Sequence, residues 1–206
     1  MKKIDTIVFD LGGVLIDWNP DYVYQSIFPN DEERKWFYEN ICTADWNEQQ
    51  DAGRSLQEAT EELVKKFPDH EKNIRVYYDR WQEMLGGPIH ETVEVLSHLK
   101  YKTDLRLYAL TNWSAETFPV ALSLYEFLHW FEGRVVSGEE MTRKPFPEIY
   151  KTLIARYNII PEQAIYIDDN YRNLITAKEL GFHIIHFKSP QQFKKELAEI
   201  LGNGDI

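Results

Sequence analysis

Cysteine is almost missing from this chain: Cys42 is the single one in 206 residues. No internal disulfide can form, Cys42 reads as a packing residue, and the thiol content suits a reducing compartment, the cytoplasm. Long apolar runs are missing too. No stretch approaches the ~20 residues of a bilayer-spanning helix, and Met1-Lys2-Lys3 leads into a short strand and not into a leader peptide. Positive charge is scarce, with 23 Lys and Arg against 34 Asp and Glu and a net charge of −11. The acids are spread through the chain and form no tail. A nucleic-acid groove needs clustered Lys and Arg, so that class of partner is disfavoured. A small phosphorylated molecule needs only a local positive site and stays open. The six histidines show no metal-ligand spacing of the His-Glu-x-x-His kind, and His183 and His186, straddling a late strand, read as structural. Repeats and low-complexity segments are absent.

What is present is enough apolar material, 43% of residues, for one α/β domain with a real core and a small insertion. Thr6 to Phe9 reads as a buried strand stopped by glycine. From Pro20 to about Leu85 the pattern turns helical, over 31–41, 55–67 and 70–85, with no strand between. Ser55 and Glu58 form a capping-box signature there. Gly86-Gly87-Pro88 reads as a breaker. Alternation then resumes: helices over 89–99, 114–128, 147–157, 172–180 and 190–201, strands over 105–110, 133–137, 164–167 and 182–187. This order predicts a parallel sheet covered on both faces by helices, a Rossmann-like α/β arrangement. Residues 1–16 and 88–206 are expected to form it, and 17–87 an inserted helical lid.

Ligands in such sheets bind beyond the carboxyl ends of the strands, so the residues there form one set. They are Asp10 in "FDLGG", Thr111 and Asn112 in "LTNWS", Arg143 and Lys144 in "TRKPFPEIY", and Asp168 and Asp169 in "YIDDN". Paired acids with a third aspartate suit a hard cation with oxygen ligands, Mg²⁺ above others. A lysine beside an aspartate keeps it ionised and also attracts an anion. Together they suit attack on phosphorus.

These four motifs, in this order, identify the chain as resembling the haloacid dehalogenase-like (HAD) hydrolase superfamily. The lid matches the helical cap that this family inserts after its first motif. "TADWNEQQDAGRSLQEA" is similar to a subgroup with sugar-phosphate phosphatases and the N-terminal phosphatase domains of epoxide hydrolases. The resemblance implies a roster of roles. Asp10 would be the nucleophile that forms an aspartyl-phosphate. The carbonyl of Gly12 and the carboxylates of Asp168 and Asp169 would join Asp10 in holding Mg²⁺. Thr111 and the Asn112 amide would bind phosphoryl oxygens, and Lys144 would neutralise charge. Of the paired acids Asp168 is the preferred ligand, since one of the two could serve only to start the next helix.

One departure stands out. HAD phosphatases usually carry at position 12 a second aspartate, which protonates the leaving oxygen and then activates water; here it is Gly12. Glycine keeps the carbonyl but can do neither. Three readings therefore stay open: a Mg²⁺-dependent phosphatase of a small phosphate ester, a metal-free dehalogenase of 2-halo acids, and a phospho-ligand binder with weakened catalysis. Retained "YIDDN", and the lack of an arginine just after the first motif, favour the phosphatase. Asp17 is the nearest downstream carboxylate that could hold a substitute water, though a turn role at the hinge suits it better. Gly12 itself is a candidate for positive φ. Trp18, Trp36, Trp46 and Trp81 are expected mostly to build the core of the lid, while Trp18 and Trp113 are placed to face substrate. A monomer or homodimer with a small-molecule partner and no membrane contact completes the expectation.

Overall fold

The structure is a computed structural model describing residues 3–202; of the Met1-Lys2-Lys3 start, the first two residues lie outside that range. Seven strands run β1 (Thr6–Phe9), β2 (Ile16–Trp18), β3 (Leu85–Pro88), β4 (Arg106–Thr111), β5 (Gly133–Val136), β6 (Ala164–Asp168) and β7 (His183–His186). Five helices lie between β2 and β3: α1 (Asp21–Tyr24), α2 (Asp31–Asn40), α3 (Ala44–Asp51), α4 (Leu56–Lys66) and α5 (Glu71–Asp79). Six follow β3: α6 (His90–Lys102), α7 (Phe118–Leu124), α8 (Ser137–Glu140), α9 (Pro147–Tyr157), α10 (Tyr171–Glu179) and α11 (Pro190–Leu201).

Five strands form one parallel sheet in the order β5-β4-β1-β6-β7. The apolar run of β1 follows from its central position. Ile7 and Phe9 enter one core layer and Val8 the other, because successive side chains alternate across a sheet that is covered on both faces. Chain order reverses around β1, which has β4 on one side and β6 on the other, and that opens the crevice in which such sheets bind ligands.

The five-helix insertion is tied to the sheet by the antiparallel β2–β3 ribbon, where Asp17 pairs with Gly87 and Ile16 with Pro88. Here the sequence expectation is corrected: Gly86-Gly87-Pro88 breaks helices as expected, yet it lies in a strand. A Cβ on Gly86 would overlap the Asp17 carboxylate and the Tyr22 ring, so glycine allows the ribbon to close. The expected 70–85 helix is also shorter. It ends at Asp79 and gives way to a 3₁₀ turn over Trp81–Met84. Likewise 114–128 holds only α7 and a 3₁₀ turn over Glu126–His129. Helix α3 was not anticipated. It starts where the Thr43 hydroxyl accepts from the Trp46 amide at 3.1 Å and ends before Gly53, which has φ +101°. The Ser55 cap is present, its hydroxyl accepting from the Glu58 amide at 3.1 Å.

An aromatic cluster fills the insertion. Tyr24 meets Phe37 at 5.2 Å between ring centroids, and Trp46 meets Tyr77 at 5.2 Å edge-on, geometries favoured by ring quadrupoles. Trp46 and Trp81 are buried as expected of a lid core, whereas Trp36 is 49% exposed and contributes little to it. Trp81 meets Trp113 of the sheet side at 5.8 Å, so the two apolar cores run together. Glu48 of α3 adds two ion pairs, to Arg143 and to Arg172, each at 2.7 Å.

Candidate active site

The carboxyl ends of β1, β4 and β6 bring the first, second and fourth motifs together, and the loop after α8 adds Lys144. The Asp10 amide continues the ladder by donating to the Ile167 carbonyl at 2.8 Å, which fixes the side chain's position. Its Oδ1 accepts from the Leu11 amide at 2.7 Å and pairs with Lys144 Nζ at 2.9 Å. Oδ2 is left without a hydrogen-bond donor among the described residues. Lys144 is buried at 1% exposure. Its ammonium spends all three protons, on Asp10, on Asp168 Oδ2 at 2.7 Å and on the Leu110 carbonyl at 3.1 Å. Burial alone would push this ammonium down; the Asp10 and Asp168 carboxylates outweigh it, so its pKa is raised and the charge is permanent. Asn112 positions the lysine. Its side-chain amide donates to the Lys144 carbonyl at 3.0 Å, and its Oδ1 accepts from the Lys144 amide at 2.8 Å.

The paired acids differ in their surroundings. Asp168 is fully buried, and its two oxygens accept from four groups: Lys144, the Tyr166 hydroxyl at 2.6 Å, the Asn170 amide at 2.8 Å and the Asn173 side chain at 3.0–3.1 Å. That fills the roughly four lone-pair sites of a carboxylate. Asp169 is more exposed, and its carboxylate lies against Gly13. Asp168 thus holds the lysine, whereas the Asp169 carboxylate accepts from no other side chain among the described residues. Oxygen atoms of Asp10, Asp168 and Asp169 nonetheless all lie within 4.8 Å of one another.

Three carboxylates face one ammonium, so two negative charges stand unbalanced. Burial, opposed by Lys144 and reinforced by Asp168 and Asp169, raises the Asp10 pKa well above the usual carboxylate range. Asp169 is raised by burial and by Asp168. An all-oxygen set with excess negative charge fits a hard divalent cation such as Mg²⁺. The Thr111 hydroxyl is buried with no hydrogen-bond partner among the described residues.

A cavity of about 270 Å³ opens onto this cluster. Asp10, Gly12, Gly13, Asn112 and Asp169 form its floor side; Trp18, Trp81 and Trp113 line it with Asn47, Asp51 and Tyr78 from the insertion. Trp18 and Trp113 thus reach the cavity, as their positions suggested. Asp17 does not line it and is bonded by the Tyr22 hydroxyl. Gly12 is free of strain: its φ is not positive, and a Cβ there would meet nothing within 4 Å. Positive φ belongs to Gly13, at +71°, where a Cβ would also overlap the Asp169 carboxylate. His183 and His186 bond backbone carbonyls of Glu162 and Asp169 at 3.2 and 2.9 Å, and Cys42 is buried, which pushes its thiol pKa up. Sequence reasoning missed Asp51. The one signal available was an acid at the end of a short polar run before Gly53, an electrostatically poor place for a carboxylate at a helix C-terminus.

A parallel α/β sheet that gathers a buried Asp–Lys–Asp cluster at its strand ends, beside a helical insertion, is the frame of a hydrolase. The chain belongs to the haloacid dehalogenase-like hydrolases, whose family model matches residues 4–181. Among similar proteins, the sesquiterpene phosphatase astK of Aspergillus oryzae is 23% identical over 195 residues, 95% of each chain. Drimenol cyclase drtB of Aspergillus calidoustus is 23% identical over 202 residues, 97% of this chain; the chain spans only 37% of that protein's length. Among solved structures, the HAD family enzyme bt-2542 of Bacteroides thetaiotaomicron superposes with a TM-score of 0.71 at 22% identity, over 95% of this chain and 99% of that one. That enzyme has also been solved with magnesium and inorganic phosphate.

Proposed function

We propose that the chain is a Mg²⁺-dependent phosphatase that hydrolyses a small phosphate ester through an aspartyl-phosphate on Asp10. The observation that carries this is the charge arrangement: three carboxylates share one fully committed lysine beside an unpartnered buried threonine hydroxyl. Asp10, Asp169 and the Gly12 carbonyl would hold the ion, with Asp168 behind them. Bound there, the ion would offset the charge of the incoming phosphoryl group and make its phosphorus a better electrophile.

The chain's own residues do the rest. Lys144 and the Leu11 amide hold Asp10 by Oδ1, which fixes the carboxylate and leaves Oδ2 open to new bonds. Thr111 and the Asn112 amide receive phosphoryl oxygens, and preorganised donors of this kind need no rearrangement as charge develops. Trp18, Trp81, Trp113 and Tyr78 present an aromatic wall to the leaving group. A sugar face or a short apolar chain suits that wall, and the similarity to a sesquiterpene phosphatase supports testing both. The cap role of 17–87, sitting over the cavity, and a cytoplasmic location, suggested by the one free thiol, belong to the same proposal.

The dehalogenase alternative is weakened by the cavity lining. Among the described residues it offers no Arg, Lys or His for a substrate carboxylate and presents Asp51 and Asp169 instead. The test is a screen of sugar, prenyl and aryl phosphates with Mg²⁺ or chelator, using wild type and Asp10→Asn. Turnover that requires Mg²⁺ and falls at least a thousandfold in Asp10→Asn is expected. Turnover of a 2-halo acid in chelator, with all phosphate esters inert, would overturn the proposal.

A further inference from the structure

Gly12 leaves the reaction without its usual proton carrier, and a carrier must still be found for any leaving group more basic than a phenolate. Four titratable residues line the cavity: Asp10, Asp51, Tyr78 and Asp169. Asp10 is the nucleophile, and Asp169 faces the metal position. The Tyr78 hydroxyl already donates its proton to Asn47 Oδ1 at 3.0 Å while accepting from the Gln50 side chain at 2.8 Å. Lys144 has no proton to spare, all three being held by Asp10, Asp168 and Leu110. Asp51 remains. It ends α3, the insertion helix tied to the sheet side through Glu48 with Arg143 and Arg172. Gly53, two residues on, lets the backbone pass where a Cβ would overlap Met141. The fold thus carries this carboxylate down to the cavity.

We infer that Asp51 is the acid–base residue of this enzyme, supplied by the insertion in place of the carboxylate that position 12 lacks. The inference rests on the phosphatase proposal above. In the first half-reaction an Asp10 oxygen bonds to phosphorus, the ester P–O bond breaks, and protonated Asp51 gives its proton to the departing oxygen. The alcohol leaves, with Asp51 ionised and Asp10 phosphorylated. In the second, Asp51 takes a proton from water as the water oxygen bonds to phosphorus. The aspartyl P–O bond breaks, inorganic phosphate departs, and both aspartates return to their starting states. The surroundings suit a group that must hold and release a proton near neutrality. Burial first and then Glu48 raise its pKa, and Arg143, the Ser114 amide and Lys144 oppose them, leaving it at about 7. Tyr77 and Tyr78 of α5 also face it, both pushed up and neutral.

The experiment compares an aryl and an alkyl phosphate, both with Mg²⁺, in wild type and Asp51→Asn. Aryl phosphates need no proton on leaving; alkyl phosphates do. Asp51→Asn should lose about 10²–10⁴-fold in alkyl turnover. With the aryl ester it should release one fast equivalent of phenol and then stall, with acid-stable phosphoenzyme accumulating. Asp51→Glu should retain part of the alkyl activity. Gly12→Asp added to Asp51→Asn should restore alkyl turnover at least tenfold, since space is open beside Gly12. An Asp51→Asn enzyme with alkyl turnover within threefold of wild type would overturn the inference and leave the phosphatase proposal standing. So would equal losses on both esters with no burst and no phosphoenzyme, the pattern of a merely structural residue. A wild type inert toward every phosphate ester would overturn both.

Discussion

Gly12 and Gly13 are neighbours of one residue type, and the fold asks different things of them. Gly13 has positive φ and the Asp169 carboxylate against its α-carbon, so no other residue serves there. Gly12 has neither constraint, so the backbone there does not require glycine. Asp51 is the residue whose environment compensates, and it has a consequence for stability that is separate from turnover. Its folded pKa, about 7, lies above the ordinary carboxylate value, so between those values the native state binds more protons than the unfolded one. Stability from this group is therefore complete at acid pH and is lost as pH rises through about 7. Asp51→Asn does not titrate and escapes that loss. In metal-free buffer the stability of the variant relative to wild type should climb from pH 5 to pH 9, by on the order of 1–3 kcal/mol. A difference that stays flat across that range in thermal melts would show that Asp51 is an ordinary ionised carboxylate.

At the scale of elements, α3 is the piece that makes the site complete, and its attachment is polar on one side and aromatic on the other. Glu48 holds it to Arg143 and Arg172, and Trp46 packs it against Tyr77. Partly exposed ion pairs of this kind contribute about 0.2–1 kcal/mol each. Glu48→Ala should thus cost roughly 0.4–2 kcal/mol in denaturant unfolding and speed amide exchange in α3 well before that of β1. Unchanged exchange in α3 would mean that the aromatic packing alone holds it down. The same helix marks where the sequence stopped being legible. The strands β1 and β6 and the helices α9 and α11 carry their own signals, in apolar runs, prolines at helix starts and periodic faces. The residues Asp10, Thr111, Asp168 and Asp169, at the ends of β1, β4 and β6, follow from sheet topology. Helix α3 is eight residues of polar sequence whose helicity comes from its Thr43 cap and from packing, and propensity does not reveal that. The β2–β3 ribbon hid behind two glycines and a proline. Asp51 could be placed in the site only once an element 41 residues distant from Asp10 in sequence had been folded over it. The different surroundings of Asp168 and Asp169 were hidden for the same reason, because they depend on Tyr166 and Asn173 filling the oxygens of Asp168.

For the whole molecule the governing fact is electrostatic. A chain of net charge −11 gathers three carboxylates, two of them buried, at the ends of its central strands around one buried lysine, and every uncompensated charge there weakens the fold. A divalent cation would remove the imbalance, so metal binding and folding stability are linked. At a Mg²⁺ concentration about 100 times the dissociation constant, the native state gains about 2.7 kcal/mol. For a domain of this size that is a rise in melting temperature of roughly 5–10 °C. The gain should shrink as pH falls, because protons then occupy Asp10 and Asp169, whose pKa values burial raises. The two neighbouring aspartates should separate cleanly. Asp169→Asn should erase the Mg²⁺-dependent rise with little loss of metal-free stability, since that carboxylate serves no other side chain among the described residues. Asp168→Asn should instead lower metal-free stability by several kcal/mol, because it takes from Lys144 one of the two carboxylates that compensate its buried charge. Thermal melts of the wild type and both variants, with and without Mg²⁺ at pH 6 and pH 8, measure all four quantities. A wild type whose melting temperature ignores Mg²⁺ at both pH values would show that the three carboxylates hold no divalent ion.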